Sequence, residues 1–182
     1  MSDPFEVPVP ELATERLCLR LLSVEDAPAV HAYACDPEVA RFTLWPPHES
    51  LEFTRDFLRL LAHPAFLSWA VVPRDCGELA GMVFLHSLNR HHRKAEIAFN
   101  LAKRHWRKGF ATEAAAKVLD FAFHRLGLNR IEATCMPANH SSRRVLEKTG
   151  MAHEGRMRRS HFRYDGAHDM DLFAILREER EG

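Results

Sequence analysis

Near the middle of the 182-residue chain, a short glycine-containing segment lies between a strand-like run and a strongly helical run. The first run, residues 94–101, is rich in apolar residues with few turn formers, whereas residues 111–126 repeat apolar residues at helical spacing. A loop that enters a helix exposes backbone N–H groups that have no partner within the helix. With the positive end of the helix dipole, these groups form a site suited to a pyrophosphate. The segment therefore predicts an α/β chain that binds a diphosphate.

The loop does not match two common phosphate-binding motifs. Three cations, Arg104, Arg107 and Lys108, add positive charge there, but Lys108 precedes Gly109 and no second glycine accompanies it. A kinase-type phosphate loop needs two glycines followed by Lys and Ser or Thr, and a dinucleotide fingerprint needs three glycines. By itself, the loop is equally compatible with a basic turn that only starts a surface helix.

Length and charge balance narrow the class of protein. A chain of 182 residues, of which 46% are hydrophobic, can bury a proper core, and we predict a single domain over residues 1–182. Lys plus Arg and Asp plus Glu both number 25, which argues against a dedicated nucleic-acid-binding protein. No apolar run is long enough to span a membrane, and the acidic residues 1–6 do not resemble a signal peptide. These features predict a soluble cytoplasmic protein.

Cysteine and histidine spacings do not predict a metal site. The four cysteines, at positions 18, 35, 76 and 135, form no CxxC pair, and we expect buried thiols of a reducing compartment. The twelve histidines include positions 91, 92, 105, 124 and 161. Because no carboxylate cluster accompanies them, we interpret them as surface residues.

The remaining sequence alternates between predicted strands and helices. Strands are predicted at residues 16–20, 66–72, 79–86, 94–101, 130–135, 151–162 and 169–176. Helices are predicted at residues 23–34, 49–61, 111–126 and 139–148, with Gly127 and Gly150 after the last two. Because no linker or repeat divides this order, we expect one α/β domain with a mixed sheet.

The element order and a series of motifs resemble the GNAT N-acetyltransferases, and within them the RimJ/RimL-type ribosomal-protein N-terminal acetyltransferases. The motifs are LATERLCLR (12–20), AEIAF (95–99), HWRKGFATEA (105–114), LGLNRIEA (126–133), NHSSRRVLEKTG (139–150) and EGRMR (154–158). Each is weak alone, but their order and spacing match the family over nearly the whole chain. The resemblance implies the GNAT fold of the α/β (α+β) class, with a mixed, mostly antiparallel sheet of about seven strands and about four flanking helices.

The resemblance also implies that acetyl-CoA is the diphosphate ligand. Backbone N–H groups of residues 107–112 then cradle the pyrophosphate, and the backbone of Leu101 pairs with the pantetheine arm as an added strand. The family usually has glycine where this chain has Arg107. A backbone donor survives that change unless the position needs positive φ, and the arginine can add a charge-assisted phosphate contact. The predicted cofactor-binding residues are Phe99, Asn100, Leu101, Arg104, Arg107, Lys108, Gly109, Phe110, Ala111, Thr112, Asn139 and Ser142.

Glu96 and Ser142 are the predicted catalytic residues. By the resemblance, Asn139 hydrogen-bonds the pantetheine and Ser142 lies near the thioester sulfur, although Asn139 equally fits a plain helix cap. Glu96 is the candidate base, directly or through water, and a structural carboxylate bonded across the sheet is the alternative of equal weight. We predict direct attack by the amine in a ternary complex. A covalent route through Cys135 is disfavoured, because no histidine stands at a recognisable partner spacing.

The acceptor amine is the least constrained prediction. The RimJ/RimL resemblance favours a protein N-terminal α-amine, whose pKa of about 8 leaves it partly neutral. A polyamine, an amino-bearing antibiotic and a non-catalytic CoA-binding module are the alternatives. Trp45 with its loop, residues 86–93 and residues 158–164 are predicted to shape the pocket. The expected partners are acetyl-CoA and an amine, without nucleic acid or membrane, and a homodimer is left open.

Overall fold

The computed structural model describes residues 9–181, and its centre is one sheet of eight strands. In spatial order these are β1 (Leu12–Ala13), β2 (Leu17–Leu21), β3 (Leu67–Pro73), β4 (Gly81–Asn89), β5 (Lys94–Leu101), β6 (Arg130–Cys135), β8 (Gly166–Leu176) and β7 (Ala152–Arg163). β5 and β6 pair in parallel, whereas the other neighbouring strands pair antiparallel. The predicted mixed, mostly antiparallel sheet is therefore present, with eight strands instead of about seven.

Six α-helices accompany the sheet in the described residues, instead of the four predicted. They are α1 (Ala27–Ala34), α2 (Pro37–Ala40), α3 (Leu51–Leu61), α4 (Phe110–His124), α5 (His140–Lys148) and α6 (Arg177–Glu181). The predicted helices correspond to α1, α3, α4 and α5. The sequence does not predict α2, α6 or the strand β1, because elements this short display no complete helical or strand period.

The sheet separates two apolar cores, and β5 shows how its residues divide between them. Residues 95, 97 and 101 belong to the core beneath α4, so the alternation of a strand places Glu96, Ala98 and Asn100 on the opposite face. On that opposite face, α1 and α3 cover the sheet. The Tyr33 hydroxyl of α1 donates a hydrogen bond to Asn100 Oδ1 at 2.8 Å. One face of β5 therefore packs against the core beneath α4, and the other face is turned toward the side covered by α1 and α3.

β4 and β5 approach each other closely at the end of the sheet that leads to α4. A Cβ atom at Gly81 would lie 2.2 Å from the carbonyl oxygen of Asn100, which is closer than any side chain permits. β4 begins at this glycine, two residues later than the predicted position 79. The close contact fixes β5 at the point where the chain turns toward the predicted phosphate loop.

Two expectations about cysteine and histidine were wrong in part. Cys135 is buried, but Cys18 is half-buried and Cys35 and Cys76 are exposed, so buried thiols describe Cys135 alone. His48 and His105, interpreted from sequence as surface residues, are both buried. The His48 ring packs against Phe57 with centroids 5.1 Å apart, and the His105 ring lies 6.0 Å from that of Phe110. Composition shows neither difference, because both depend on tertiary neighbours.

Within residues 9–181, none of the helices combines the length and apolar character needed to cross a membrane. No three His, Cys, Asp or Glu side chains of this range form a group that could hold a metal ion. The expectation that the chain lacks a signal peptide concerns residues 1–6, which lie outside the described residues.

Candidate active site

β5 and β6 separate partway along their length. Their parallel pairing extends from Lys94–Arg130 to Glu96–Glu132 and stops there. Beyond that point, in the described chain, residues 97–101 pair only with β4 and residues 133–135 pair only with β8. The inner edges of both strands therefore face an opening in the sheet. An extended ligand can pair with such edges as an added strand.

Leu101 lies at the wide end of this opening, as the last residue of β5. The N–H of Ala102 donates to the carbonyl of Ala80, so the backbone groups of Leu101, one residue earlier, point away from β4 and toward the opening. The Leu101 carbonyl accepts a hydrogen bond from Trp106 Nε1 at 2.8 Å. Its N–H is left directed at the opening, where the sequence resemblance expects the pantetheine arm.

The predicted phosphate loop, residues 107–112, leads from this opening into α4. Arg107 and Gly109 have φ values of +61° and +82°, whereas φ at Lys108 between them is not positive. Alternation of this kind turns successive N–H groups toward one side and makes a nest for an anion. At the start of α4, the N–H groups of residues 110–112 have no backbone acceptor within residues 9–181. The loop thus has the unpaired donors that a diphosphate needs.

The backbone at Arg107 has positive φ, the conformation for which the family's usual glycine is suited and an arginine is not. A side chain in this region costs about 1 kcal/mol or more. The side chains of Arg107 and Lys108 are exposed and form no hydrogen bond or ion pair within the described residues. Arg104 differs, because its Nε donates to His105 Nε2 at 3.1 Å and its Nη2 lies 3.5 Å from a carboxylate oxygen of Glu78.

Three residues, Thr14, Arg16 and Glu113, form a brace that holds the loop from outside. Arg16 Nη1 donates to the carbonyl of Lys108 at 2.9 Å, and Arg16 Nε donates to the Glu113 carboxylate at 2.7 Å. Thr14 Oγ1 donates to the same carboxylate at 2.6 Å. Burial raises the pKa of Glu113, but these hydrogen bonds outweigh it and lower the pKa below its usual value. The brace therefore keeps an ionised carboxylate beside the loop.

The brace also orients the peptide between Lys108 and Gly109. Because Arg16 holds the Lys108 carbonyl, the N–H of Gly109 in the same trans peptide points in the opposite direction, away from the brace. The sequence predicts no role for the brace residues, although they lie within the motifs at 12–20 and 105–114. Their contacts join positions 97 and 99 residues apart, and no local periodicity connects such positions.

Asn139 and Ser142 follow β6, at the same end of the sheet as the loop. Asn139 Oδ1 accepts from the backbone N–H of Ser142 at 3.1 Å, so Asn139 is an N-cap of α5. Asn139 Nδ2 also donates to Ser142 Oγ at 2.9 Å. Because that hydroxyl oxygen accepts from Asn139, its own proton is available for another acceptor. Both side chains are half-buried, so a ligand can reach them.

Glu96 lies where β5 and β6 begin to separate, on the face opposite α4. Its parallel partner, Glu132, accepts from Arg130 Nε at 2.8 Å and from Lys94 Nζ at 3.0 Å. Glu96 forms no ion pair with Lys or Arg within residues 9–181. Its neighbour is His86 on β4, whose Nε2 lies 4.0 Å from Glu96 Oε2. Glu132 is thus a structural carboxylate bonded to two cations, whereas Glu96 has only His86 within ion-pair distance in the described residues. Both interpretations of Glu96, as a base and as a structural carboxylate, stay predictions.

Residues of the predicted pocket walls lie on this same face of the sheet. Burial lowers the pKa of His86, which favours the neutral imidazole, and its ring lies 5.7 Å from that of Phe84. Arg163 Nη1 donates to the carbonyl of Arg41 at 2.7 Å and so ties the β7–β8 hairpin to the segment before α3. Trp45 packs against the apolar core on the same side.

Not all of the predicted cofactor-binding side chains meet at the opening. The Asn100 amide is bonded to Tyr33 on the far face, and Phe99 packs against the core beneath α4. The ring of Phe110 is buried, with the Arg16 guanidinium 5.1 Å from its centroid. Phe99, two residues before Leu101, directs its backbone groups to the opening, whereas those of Asn100 face β4. The cofactor-binding role of these residues stays a prediction. The unpaired N–H groups of the loop and the Asn139–Ser142 pair are brought to the same end of the sheet.

We expect Cys135→Ser to leave acetyl transfer nearly unchanged. Burial raises the pKa of the Cys135 thiol to about 11, and the Asp171 carboxylate adds to this effect. A thiol with such a pKa is almost entirely protonated at neutral pH and is a poor nucleophile. Initial-velocity patterns for the two substrates should intersect, with exposed Cys35→Ser as the control. Parallel patterns, together with an acetylated Cys135 that passes its acetyl group to an amine, would contradict direct attack.

Comparison with known proteins gives matches over most of the chain. A family model described as an acetyltransferase (GNAT) domain matches residues 16–152. The uncharacterized N-acetyltransferase YoaA of Bacillus subtilis (strain 168) is 34% identical over 172 residues, covering 92% of this chain and 97% of YoaA. The putative ribosomal N-acetyltransferase YdaF of the same organism is 38% identical over 106 residues, covering 58% of each chain.

Two solved structures are similar over nearly the whole chain. An acetyltransferase of the GNAT family from Bacillus anthracis has a TM-score of 0.84 at 31% identity and covers 93% of this chain and 99% of its own. A spermidine N-acetyltransferase from Vibrio cholerae, solved in complex with CoA and spermine, has a TM-score of 0.81 at 25% identity. It covers 93% of this chain and 100% of its own.

Proposed function

Because this chain belongs to the GNAT family of acetyl-CoA-dependent N-acetyltransferases, we propose that it acetylates the N-terminal α-amine of a protein. The fold, the enzyme class and the co-substrate predicted from the sequence resemblance are confirmed by the family match and by the similar structures. We propose that the acceptor is a ribosomal protein, as for the RimJ/RimL type. We also propose that the enzyme acts in the cytoplasm. A homodimer stays a prediction.

The observation that most supports an α-amine acceptor is the carboxylate of Glu96 at the point where the strands separate, because no Lys or Arg of residues 9–181 neutralises it. An α-amine has a pKa of about 8, so one weak base suffices to remove its remaining proton. A polyamine carries several ammonium groups and needs several free carboxylates. The neighbouring carboxylate, Glu132, is already neutralised by Lys94 and Arg130. The charge at this position therefore suits an acceptor with one amine at the site.

In this proposal acetyl-CoA, the acetyl donor, binds on the face of the opening opposite the Glu96 side chain. Loop N–H groups of residues 107–112 bind the diphosphate, and the side chain of Lys108 adds a positive charge. The pantetheine arm pairs with the inner edge of β5 at Leu101 and contacts Asn139. This path leads the thioester toward the point where β5 and β6 meet, so that the acetyl group lies between Ser142 and Glu96.

The reaction follows from this arrangement. Glu96, directly or through water, takes a proton from the amine, and the nitrogen attacks the thioester carbonyl carbon. The carbonyl oxygen becomes an oxyanion, and a backbone N–H of β5 near Leu101 polarises the carbonyl in this proposal. When the C–S bond breaks, the thiolate receives the Ser142 hydroxyl proton, and the serine oxygen takes back, through water, the second proton that the attacking nitrogen loses. The N-terminus of α5 favours the negative charge on the departing sulfur. The products are the acetylated amine and free CoA.

We expect Ser142→Ala to lower kcat about tenfold or more while acetyl-CoA affinity changes much less. Protonation of the thiolate matters mainly in the transition state, whereas ground-state binding does not require it. Steady-state kinetics and calorimetry on one preparation separate the two effects. Ser141→Ala, on the preceding exposed residue of α5, is the control. Equal losses in binding and turnover would make Ser142 a positioning residue.

The proposed function is tested first by binding and then by acceptor choice. Calorimetry should give a micromolar dissociation constant for acetyl-CoA, within the range typical of enzyme substrates of about 1 μM to 1 mM. The enzyme should then acetylate peptides that carry a free N-terminus, and mass spectrometry should place the acetyl group on the α-amine. The same peptides with a blocked N-terminus and an internal lysine are the matched controls.

A polyamine is the second candidate acceptor, because the similar Vibrio cholerae enzyme is a spermidine N-acetyltransferase solved with spermine. Spermidine and spermine therefore belong in the same assay as the peptides. A kcat/KM for spermidine well above that for every peptide would overturn the protein N-terminus as acceptor. The donor site would keep its assignment in that case.

A further inference from the structure

Arginine occupies three left-handed backbone positions, with φ of +50° at Arg93, +61° at Arg107 and +50° at Arg159. L-residues avoid this conformation, so each position needs a compensating contact. At Arg93 that contact is visible, because Nε and Nη2 both donate to the carbonyl of Gly127, at 2.9 and 2.6 Å. At Arg159 the cause is a bulge in the β7–β8 pairing, where its N–H donates to Asp169 Oδ1 at 2.8 Å.

Arg107 has no such compensation within the described part of the chain. Its side chain is exposed and forms no hydrogen bond, ion pair or ring contact with any residue in the range 9–181. It stands two residues before Gly109, in the loop whose N–H groups lack acceptors. Of the neighbouring cations, Arg104 is turned toward Glu78, at 3.5 Å, whereas Lys108 is exposed and forms no ion pair within residues 9–181 but does not stand at a left-handed position. The guanidinium of Arg107 is therefore an uncommitted cation beside uncommitted donors.

We propose that the guanidinium of Arg107 binds the diphosphate of acetyl-CoA, and that this contact explains a side chain at a position which glycine would occupy without strain. The inference rests on the proposed use of the loop as the donor site. A guanidinium can present two parallel N–H donors to phosphate oxygens, which a backbone amide cannot do. Arginine at this position therefore lowers the stability of the unliganded protein and raises its affinity for acetyl-CoA.

Arg107→Gly should separate the two effects in one variant. Relief of the left-handed strain should raise the melting temperature of the unliganded protein by about 2–4 °C. Loss of the charge-assisted contact should weaken acetyl-CoA binding about tenfold in calorimetry. Arg107→Ala keeps the strain but lacks the guanidinium, so its affinity should fall equally without a gain in melting temperature.

Arg159→Gly is the matched control. It also removes an exposed arginine from a left-handed position, on β7, so its melting temperature should rise while acetyl-CoA affinity stays at the wild-type value. An Arg107→Gly protein that binds acetyl-CoA as tightly as wild type would overturn the inference and leave the acetyltransferase assignment intact. A wild-type protein without affinity for acetyl-CoA would contradict the donor site itself.

A second ligand distinguishes the phosphates of the co-substrate. Dephospho-CoA keeps the diphosphate but lacks the 3′-phosphate, and the ratio of wild-type to Arg107→Gly affinity should be the same as with CoA. A ratio that falls to one with dephospho-CoA would move the contact to the 3′-phosphate and overturn the diphosphate assignment. An unchanged melting temperature in Arg107→Gly would contradict the opposition between stability and affinity.

Discussion

Gly109→Val is expected to weaken acetyl-CoA binding by about 100-fold or more, while the protein remains folded. Gly109 has φ of +82°, a conformation that a β-branched residue avoids strongly. A Cβ atom there would also lie 3.2 Å from Arg16 Nη2, so the new side chain would press on the brace. Both effects move the N–H groups at the start of α4 away from the diphosphate. Calorimetry with acetyl-CoA measures the loss, and circular dichroism checks the fold.

Gly127→Val provides the matched control at the other end of α4. Gly127 has φ of +65°, so the same substitution imposes a similar backbone cost far from the loop. We expect it to lower the melting temperature but to leave acetyl-CoA affinity within a factor of about two, since independent sites have additive effects. If a folded Gly109→Val protein kept wild-type affinity, the loop would be only the entry to a helix.

Glu96→Gln is expected to lower kcat by about 100-fold with little change in acetyl-CoA affinity. Glutamine has nearly the same shape as glutamate but cannot accept a proton from the amine. The remaining turnover should rise with pH, because the free amine then supplies its own neutral form. Steady-state kinetics with the best acceptor peptide across pH 6–9 measure both effects.

Glu132→Gln is the natural comparison, because the two carboxylates are neighbours across the parallel pairing of β5 and β6. Removal of the Glu132 charge leaves Lys94 and Arg130 without their shared acceptor, so we expect lower stability and nearly normal turnover. Similar kcat values for the two variants, or wild-type turnover by Glu96→Gln, would exclude Glu96 as the base.

The parts of the fold that follow from sequence are those with a complete local pattern. The run at 111–126 predicts α4, which spans Phe110–His124, because its apolar residues recur at helical spacing. The unpaired N–H groups in the first turn of α4 can also be predicted, because every helix start leaves such groups without a partner in the helix. β1 and α2 are not, because two and four residues carry no measurable period.

The features of the site that sequence does not predict depend on conformation or on distant contacts. The backbone angle of Arg107 follows from the turn into α4, and an arginine in the sequence gives no sign of positive φ. Glu132 is paired with Lys94 and Arg130, whereas Glu96 has no Lys or Arg partner within residues 9–181. This difference depends on which side chains the paired strands bring together. Both residues stand in apolar, strand-like runs, so sequence patterns treat them alike.

The brace has a consequence for how the protein is made. Thr14 and Arg16 leave the ribosome well before Glu113 is synthesised, and their contact closes a chain segment of 97–99 residues. Local structure such as α4 forms faster than contacts between positions so far apart. The loop reaches its final shape only when the first strands dock against the completed helix. Acetyl-CoA therefore cannot stabilise the nascent chain early in synthesis, because the site that binds acetyl-CoA forms late.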